Sequence, residues 1–284
     1  MHELASNVQE QAGSFKDADA LNIAFRFWRP AGEARATVVI VPGFNAHSGY
    51  YSWVAEQLVA ERLAVYAVDL RGRGKSEGER FYVDDFADYV SDIAPLVDLV
   101  KSRETGLPVF LLGHSAGGVA ACLYALDHQQ TLRGLICESF AYELPAPGFA
   151  LSAIKGLSHV APHAHVLHLK NEDFSRDPKV VQAMNADPLI AQESQPAETL
   201  AALIRADELL KQSFARFTLP ILILHGTADK AAKASGSQHF YETAGSADKT
   251  LKLYEGGFHD LLNDTGKSEV MGDITRWIDA HLTT

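Results

Sequence analysis

The run Gly113-His114-Ser115-Ala116-Gly117-Gly118 fits the spacing G-x-S-x-G. That spacing puts a serine on a sharp turn between a strand and a helix and lifts its hydroxyl into a cleft. Glycine on both flanks removes side chains that would collide across such a turn. A serine hydroxyl is a poor nucleophile until a base takes its proton, and the usual base is a histidine oriented by a carboxylate. With this turn, the acid and then the histidine follow the serine, each at the carboxyl end of a strand. His259, after Glu255-Gly256-Gly257-Phe258, stands where that base belongs. The other later histidines are worse placed. His159, His163, His165 and His168 lie where strand signals are weak, and His225 leaves no room for an acid ahead of it. His239 falls inside a helical pattern, and His281 is close to the C-terminus. Asp229 is the one carboxylate in the loop His225-Gly226-Thr227-Ala228-Asp229. Glu138, at the end of an earlier strand, stays open as a rival acid. Asp260, next to His259, is expected to face away from the imidazole edge that needs support. A developing oxyanion needs backbone donors. The N–H of Ala116, just after the nucleophile, is one. The N–H of Phe44, in the loop opened by Pro42-Gly43, is the other candidate.

These residues need a scaffold that ends several strands on one side. Short apolar runs at 21–28, 37–41, 63–68, 109–112 and 132–137 read as strands. Helical patterns at 51–60, 83–103 and 116–128 alternate with them, and Pro95 is expected to kink the second. The rhythm breaks between 142 and 217. It resumes with strands at 221–224 and 250–254 and helices at 232–244 and 266–281. Continuous apolar strands alternating with helices predict an α/β fold, a mostly parallel sheet covered on both faces. The break predicts an inserted helical cap, giving core segments 1–141 and 218–284 around an insertion at 142–217. Within it Ala150, Ala153, Ile154 and Leu157 recur at three and four, beside Phe149 and Leu151. Such a helix either meets acyl chains or a lipid surface, or packs on the core.

The 284 residues carry 25 Lys and Arg against 36 Asp and Glu, a net charge of −11. That balance argues against a nucleic-acid partner and against attraction to anionic lipid. Hydrophobic residues at 47% exclude a disordered chain. No apolar run approaches the ~18 residues of a membrane span. Residues 1–16 are polar and lack the basic and apolar regions of a signal peptide, so the cytoplasm is the expected compartment. Cys122 and Cys137, each in an apolar run, read as buried thiols rather than a disulfide framework. The histidines at 159–168 match no usual zinc spacing, and the loop 71–80 reads as polar rather than as a phosphate cradle. No metal and no cofactor are expected.

Nearly all of the chain after residue 21 resembles the α/β-hydrolase superfamily. More narrowly, it resembles the monoacylglycerol lipase and lysophospholipase group of serine hydrolases. The matching stretches are 113–118, Asp69-Leu70-Arg71-Gly72-Arg73-Gly74-Lys75-Ser76-Glu77-Gly78, Ser175-Arg176-Asp177-Pro178, Asp187-Pro188-Leu189, 225–229 and 251–259. The resemblance implies a triad of Ser115, Asp229 and His259 and a lid at 142–217 over an acyl pocket. The chain departs from the family at Pro42-Gly43, where the family has His-Gly, and at Ala46, where the family has an acid before the next histidine. The expected activity is hydrolysis of esters with an apolar acyl part, through an acyl-enzyme and without a cofactor. A small ester or lipid is the expected partner, with transient lid contact at lipid surfaces. A general short-chain carboxylesterase or thioesterase is the alternative within enzymes. A non-catalytic ligand receptor on the same fold is the alternative outside them.

Overall fold

The computed structural model describes residues 9–282. The expectation of a leaderless start falls partly on residues 1–8, outside the described residues. In chain order the strands are β1 (Gln11–Lys16), β2 (Asn22–Trp28), β3 (Ala36–Val41), β4 (Leu63–Val68), β5 (Val109–His114), β6 (Gly134–Glu138), β7 (His165–Leu167), β8 (Gln195–Pro196), β9 (Ile221–Gly226) and β10 (Lys249–Tyr254). The helices are α1 (Ser52–Ala60), α2 (Ala87–Arg103), α3 (Ala116–His128), α4 (Gly148–Ser158), α5 (Pro178–Ala186), α6 (Ala197–Ser213), α7 (Ala234–Thr243) and α8 (Lys267–Leu282).

Eight strands form one sheet in the order β1-β2-β4-β3-β5-β6-β9-β10. From β4 to β10 neighbours are parallel, while β1 and β2 run antiparallel at one edge. β3, β4, β5 and β9 are buried along their whole length. Their apolar runs do not alternate because helices cover both faces. On one face Leu96 and Val97 of α2 pack with Val119 of α3 over Val39 and Leu111. On the other, Val54 and Leu58 of α1 and Ile274 and Ile278 of α8 pack over Val38 and Leu112.

Two differences from the sequence reading bear on the architecture. α2 starts at Ala87 rather than 83, because Asp85 makes a turn first and its carboxylate accepts the Ala87 N–H at 2.9 Å. It then runs unbroken through Pro95. β1 has no counterpart in the apolar pattern. It is a polar edge strand, paired along its length with β2, and Gly13 leaves room for the Phe25 ring. The loop 71–80 is polar and only partly solvated. Arg71 and Arg73 are buried, and the Ser48 and Lys75 N–H groups donate to the Asp69 carboxylate at 2.7 and 2.9 Å.

No strand of the eight-stranded sheet lies between residues 138 and 221. That stretch holds α4, α5 and α6 and the short β7–β8 pair. α6 buries Leu200 and Leu203 in the core beside α3, and α4 packs on α6. Asp187 at the end of α5 anchors the stretch to the core. His47 Nε2 and the Tyr50 hydroxyl both lie 2.8 Å from its Oδ2.

α3 approaches the backbone at the end of β3 closely. A Cβ placed on Gly117 would stand 2.2 Å from the Val41 carbonyl oxygen and 2.3 Å from that of Pro42. Neither oxygen belongs to a movable side chain. Gly117→Ala is therefore expected to cost about 1–3 kcal/mol by overpacking. Urea denaturation checks this, with a lower midpoint and an unchanged slope expected.

Candidate active site

The turn from β5 into α3 holds Ser115 at φ 54° and ψ −122°. This is a left-handed, strained backbone for a residue with a side chain. The surrounding structure fixes it. The Ser115 N–H donates to the Glu138 carbonyl at 3.0 Å, and the Gly118 N–H donates to the Ser115 carbonyl at 2.9 Å. Gly113 is needed because a Cβ there would meet Gly118 Cα at 2.6 Å and the Gly117 oxygen at 2.7 Å.

His259 reaches Ser115 from the loop after β10. Its Nε2 lies 2.8 Å from Ser115 Oγ, and its Nδ1 lies 2.7 Å from Asp229 Oδ2. An ionised carboxylate only accepts, so Nδ1 carries the proton and Nε2 is left to accept from the serine hydroxyl. Phe174 meets the imidazole edge to face, with centroids 5.0 Å apart. Asp229 is held from three sides. The Ala231 and Ala232 N–H groups donate to its Oδ1 at 2.8 and 3.0 Å, and His225 Nε2 lies 3.1 Å from its Oδ2. Burial alone would raise its pKa. The charge of His259 and the hydrogen bonds from His225 and His259 overcome that and hold the carboxyl far below the usual carboxylate range.

Glu138 does not touch His259. Its Oε1 accepts the Leu261 N–H at 2.7 Å, and its Oε2 stands 3.6 Å from His114 Nε2. Burial and the neighbouring Asp260 charge push the Glu138 carboxyl well above its ordinary value. Asp260 is itself pushed up to about 6, chiefly by burial, and its Oδ2 accepts from the Asn263 amide. Among the described residues, His114, Glu138 and Asp260 are the ligand-type side chains that converge, within 4.8 Å of one another.

The loop after β3 passes directly over Ser115. A Cβ on Gly43 would lie 2.7 Å from Ser115 Cβ and 2.8 Å from the His114 oxygen. The loop thus brings the peptide of Phe44 beside Ser115, whatever side chain Pro42 carries. Ala116 opens α3, so its N–H is among the four without an intrahelical acceptor. A cavity of about 390 Å³ opens over Ser115, between Phe44 and Ala116 of the core and Leu151, Ile154 and Leu169 of the 142–217 stretch. Lys170, Asp173 and Lys230 also line it. α4 turns Leu151 and Ile154 towards this cavity and leaves Phe149 79% exposed.

The structure therefore brings Ser115, His259, Asp229, Phe44 and Ala116 to one place. It keeps Glu138 and Asp260 behind them. His225 and Phe174 are contacts the sequence reading did not assign. The i, i+4 spacing of His225 and Asp229 carried a signal for the first, while nothing in the sequence marked the second. The histidines at 159–168 scatter. His163 pairs with Glu79, His165 with the Ser194 carbonyl and His168 with the Glu193 carbonyl. Cys122 and Cys137 are buried thiols with sulfurs 3.6 Å apart. No helix among the described residues is long and apolar enough to cross a membrane.

The sequence pattern of the Hydrolase_4 family, described as serine aminopeptidase, S33, matches residues 32–266. A monoacylglycerol lipase of Mycolicibacterium smegmatis is 32% identical over 272 residues, covering 95% of this chain and 97% of that protein. A human monoglyceride lipase is 34% identical over 273 residues, covering 94% of this chain and 90% of that protein. The crystal structure of a Paleococcus ferrophilus monoacylglycerol lipase aligns with a TM-score of 0.81 at 28% identity, covering 92% of this chain and 99% of the other.

The raised pKa of Glu138 fixes a sign for stability against pH. Above about pH 4.3 the unfolded chain releases this proton while the native state keeps it, so stability falls as pH rises. Glu138→Gln keeps an acceptor for the Leu261 N–H and removes the titration. The variant should gain stability relative to the parent as pH rises above about 4.3 in urea denaturation. Parallel curves would show that Glu138 is ionised in the native state.

Proposed function

The chain belongs to the serine aminopeptidase S33 (Hydrolase_4) family and is a carboxylic ester hydrolase of the monoacylglycerol lipase type, and from that premise we propose that Ser115, His259 and Asp229 carry out acyl transfer from an apolar ester. The observation that carries this reading is the continuous relay from Asp229 Oδ2 through the imidazole to Ser115 Oγ, at 2.7 and 2.8 Å.

His259 Nε2 takes the hydroxyl proton as Ser115 Oγ attacks the ester carbonyl. The Phe44 and Ala116 N–H groups receive the negative charge that forms on the carbonyl oxygen. Asp229 stays ionised and stabilises the imidazolium. The imidazolium gives its proton to the departing alcohol. Water then enters and attacks the acyl carbon as it loses a proton to the same nitrogen, which returns that proton to Ser115 Oγ as the acid is released. A monoacylglycerol fits this chemistry, with its chain against Leu151, Ile154 and Leu169 and its glycerol facing the polar mouth. The volume of about 390 Å³ falls within the roughly 300–1,000 Å³ typical of small-molecule sites. Residues 142–217 act as a cap over the core segments 1–141 and 218–284. Phe149 and Val160, at 79% and 82% exposure, are the most exposed of the large apolar side chains it offers to a lipid surface. The two unpaired buried thiols suit a reducing, cytoplasmic setting.

Hydrolysis of monoacylglycerols and of p-nitrophenyl esters from acetate to palmitate tests the reading. Rates should rise with chain length and vanish in Ser115→Ala. A peak at acetate or butyrate would make the protein a small-ester carboxylesterase. Full activity in Ser115→Ala would refute the serine mechanism, and binding without turnover would leave a receptor. Asp229→Asn should lower kcat on the order of 10³–10⁴-fold, whereas Glu138→Gln should stay within about tenfold of the parent. The reverse ranking would make Glu138 the acid.

A further inference from the structure

The residue after Phe44 is gripped entirely by the stretch 142–217. The Asn45 N–H donates to Glu193 Oε1 at 2.9 Å, and its side-chain amide donates to the Leu169 carbonyl at 3.2 Å and to Asn171 Oδ1 at 3.0 Å. Asn45 itself is left-handed, with φ 52°. Asn tolerates this region better than most residues with a side chain, and these three partners hold it there. Glu193 is buried, and Arg73, also buried, neutralises it through a direct ion pair. Arg73 further donates to Gln195 Oε1 at 2.9 Å and to the Tyr89 hydroxyl at 3.1 Å. The Gln195 amide closes the ring by donating to Glu193 Oε1 at 2.9 Å. The guanidinium also lies 4.2 Å from the centre of the Phe44 ring. The side chain of Phe44 and the peptide that follows it therefore rest on the same buried pair. A buried ion pair is seldom a net stabiliser compared with apolar side chains of similar size, so this pair calls for a role in position.

We propose that Glu193 and Arg73 are positioning residues for the oxyanion hole: Glu193 fixes the peptide after Phe44, Arg73 supports the Phe44 ring, and the hole is complete only when the 142–217 stretch is seated. This rests on the proposed role of the Phe44 N–H as an oxyanion donor. Neither residue lines the cavity over Ser115, and neither is a hydrogen-bond partner of Asp229 or His259. Losing them should therefore weaken binding of the charged intermediate and spare both ground-state binding and the base.

The test compares Glu193→Ala with Glu193→Gln, whose side-chain oxygen can still accept the Asn45 N–H. Rates on p-nitrophenyl butyrate are expressed per Ser115 site titrated with a fluorophosphonate, so unfolded protein does not count. Glu193→Ala should lose kcat on the order of 10- to 100-fold, with KM within about threefold. The Ki of a trifluoromethyl ketone, whose hemiketal oxygen occupies the hole, should rise by the same factor as kcat falls. The pH midpoint of kcat/KM should not move. Glu193→Gln should recover kcat to within about fivefold of the parent. If Glu193→Ala shows no melting transition, the double variant Arg73→Met/Glu193→Leu carries the same expectations, since it leaves no buried charge unpaired. Unchanged kcat and Ki in a folded variant would overturn the positioning role, as would a loss of kcat without a rise in Ki. A parent enzyme that the fluorophosphonate leaves unlabelled at Ser115 would overturn the serine mechanism itself.

Discussion

Ser115 is held in a backbone conformation that it would not adopt alone, and the packing around it follows from that constraint. At φ 54° the turn needs β5 before it, α3 after it and the Glu138 carbonyl beside it. It also needs room on three sides. Gly113 and Gly117 let α3 lie against the ends of β5 and β3, and Gly43 lets the next loop cross within contact of the serine. A methyl group at any of the three would meet backbone at 2.8 Å or less. Strain at Ser115 is thus sustained by close packing of the sheet's centre, where strands are buried from end to end.

Burial then does the electrostatic sorting. Asp229 and Glu138 both end up in the interior near His259, yet their environments push them in opposite directions. Asp229 receives two backbone N–H groups and two imidazoles and stays ionised. Glu138 receives one N–H group, and burial and the facing Asp260 push its carboxyl well above the ordinary value. Two carboxyl groups pushed in opposite directions are suited to different roles. Asp229 meets the imidazole. Glu138 ties the loop at Leu261 to the end of β6.

Much of this is legible in the residues. Apolar runs mark the inner strands, because a strand buried on both faces has nowhere to put a polar side chain. The serine turn is legible because its glycines are sterically required, and His259 and Asp229 because loops at strand ends leave few candidates. The polar edge strand β1 is hidden, since one face of it meets water and Phe15 is its only large apolar residue. The residues favour Asp229 over Glu138 without excluding Glu138. Both follow strands, and only geometry shows which carboxylate meets the imidazole. The grip of Glu193 on Asn45 spans 148 residues, and no local pattern encodes a contact of that kind.

The central claim is that acyl transfer passes through Ser115. Rapid mixing of the enzyme with p-nitrophenyl butyrate, acid quenching and mass analysis of the Ser115 peptide test it directly. The account predicts a burst of about one p-nitrophenol per chain and a butyryl group on Ser115 at the end of that burst. Steady turnover with no acyl group on the chain, or with the acyl group on another residue, would contradict it.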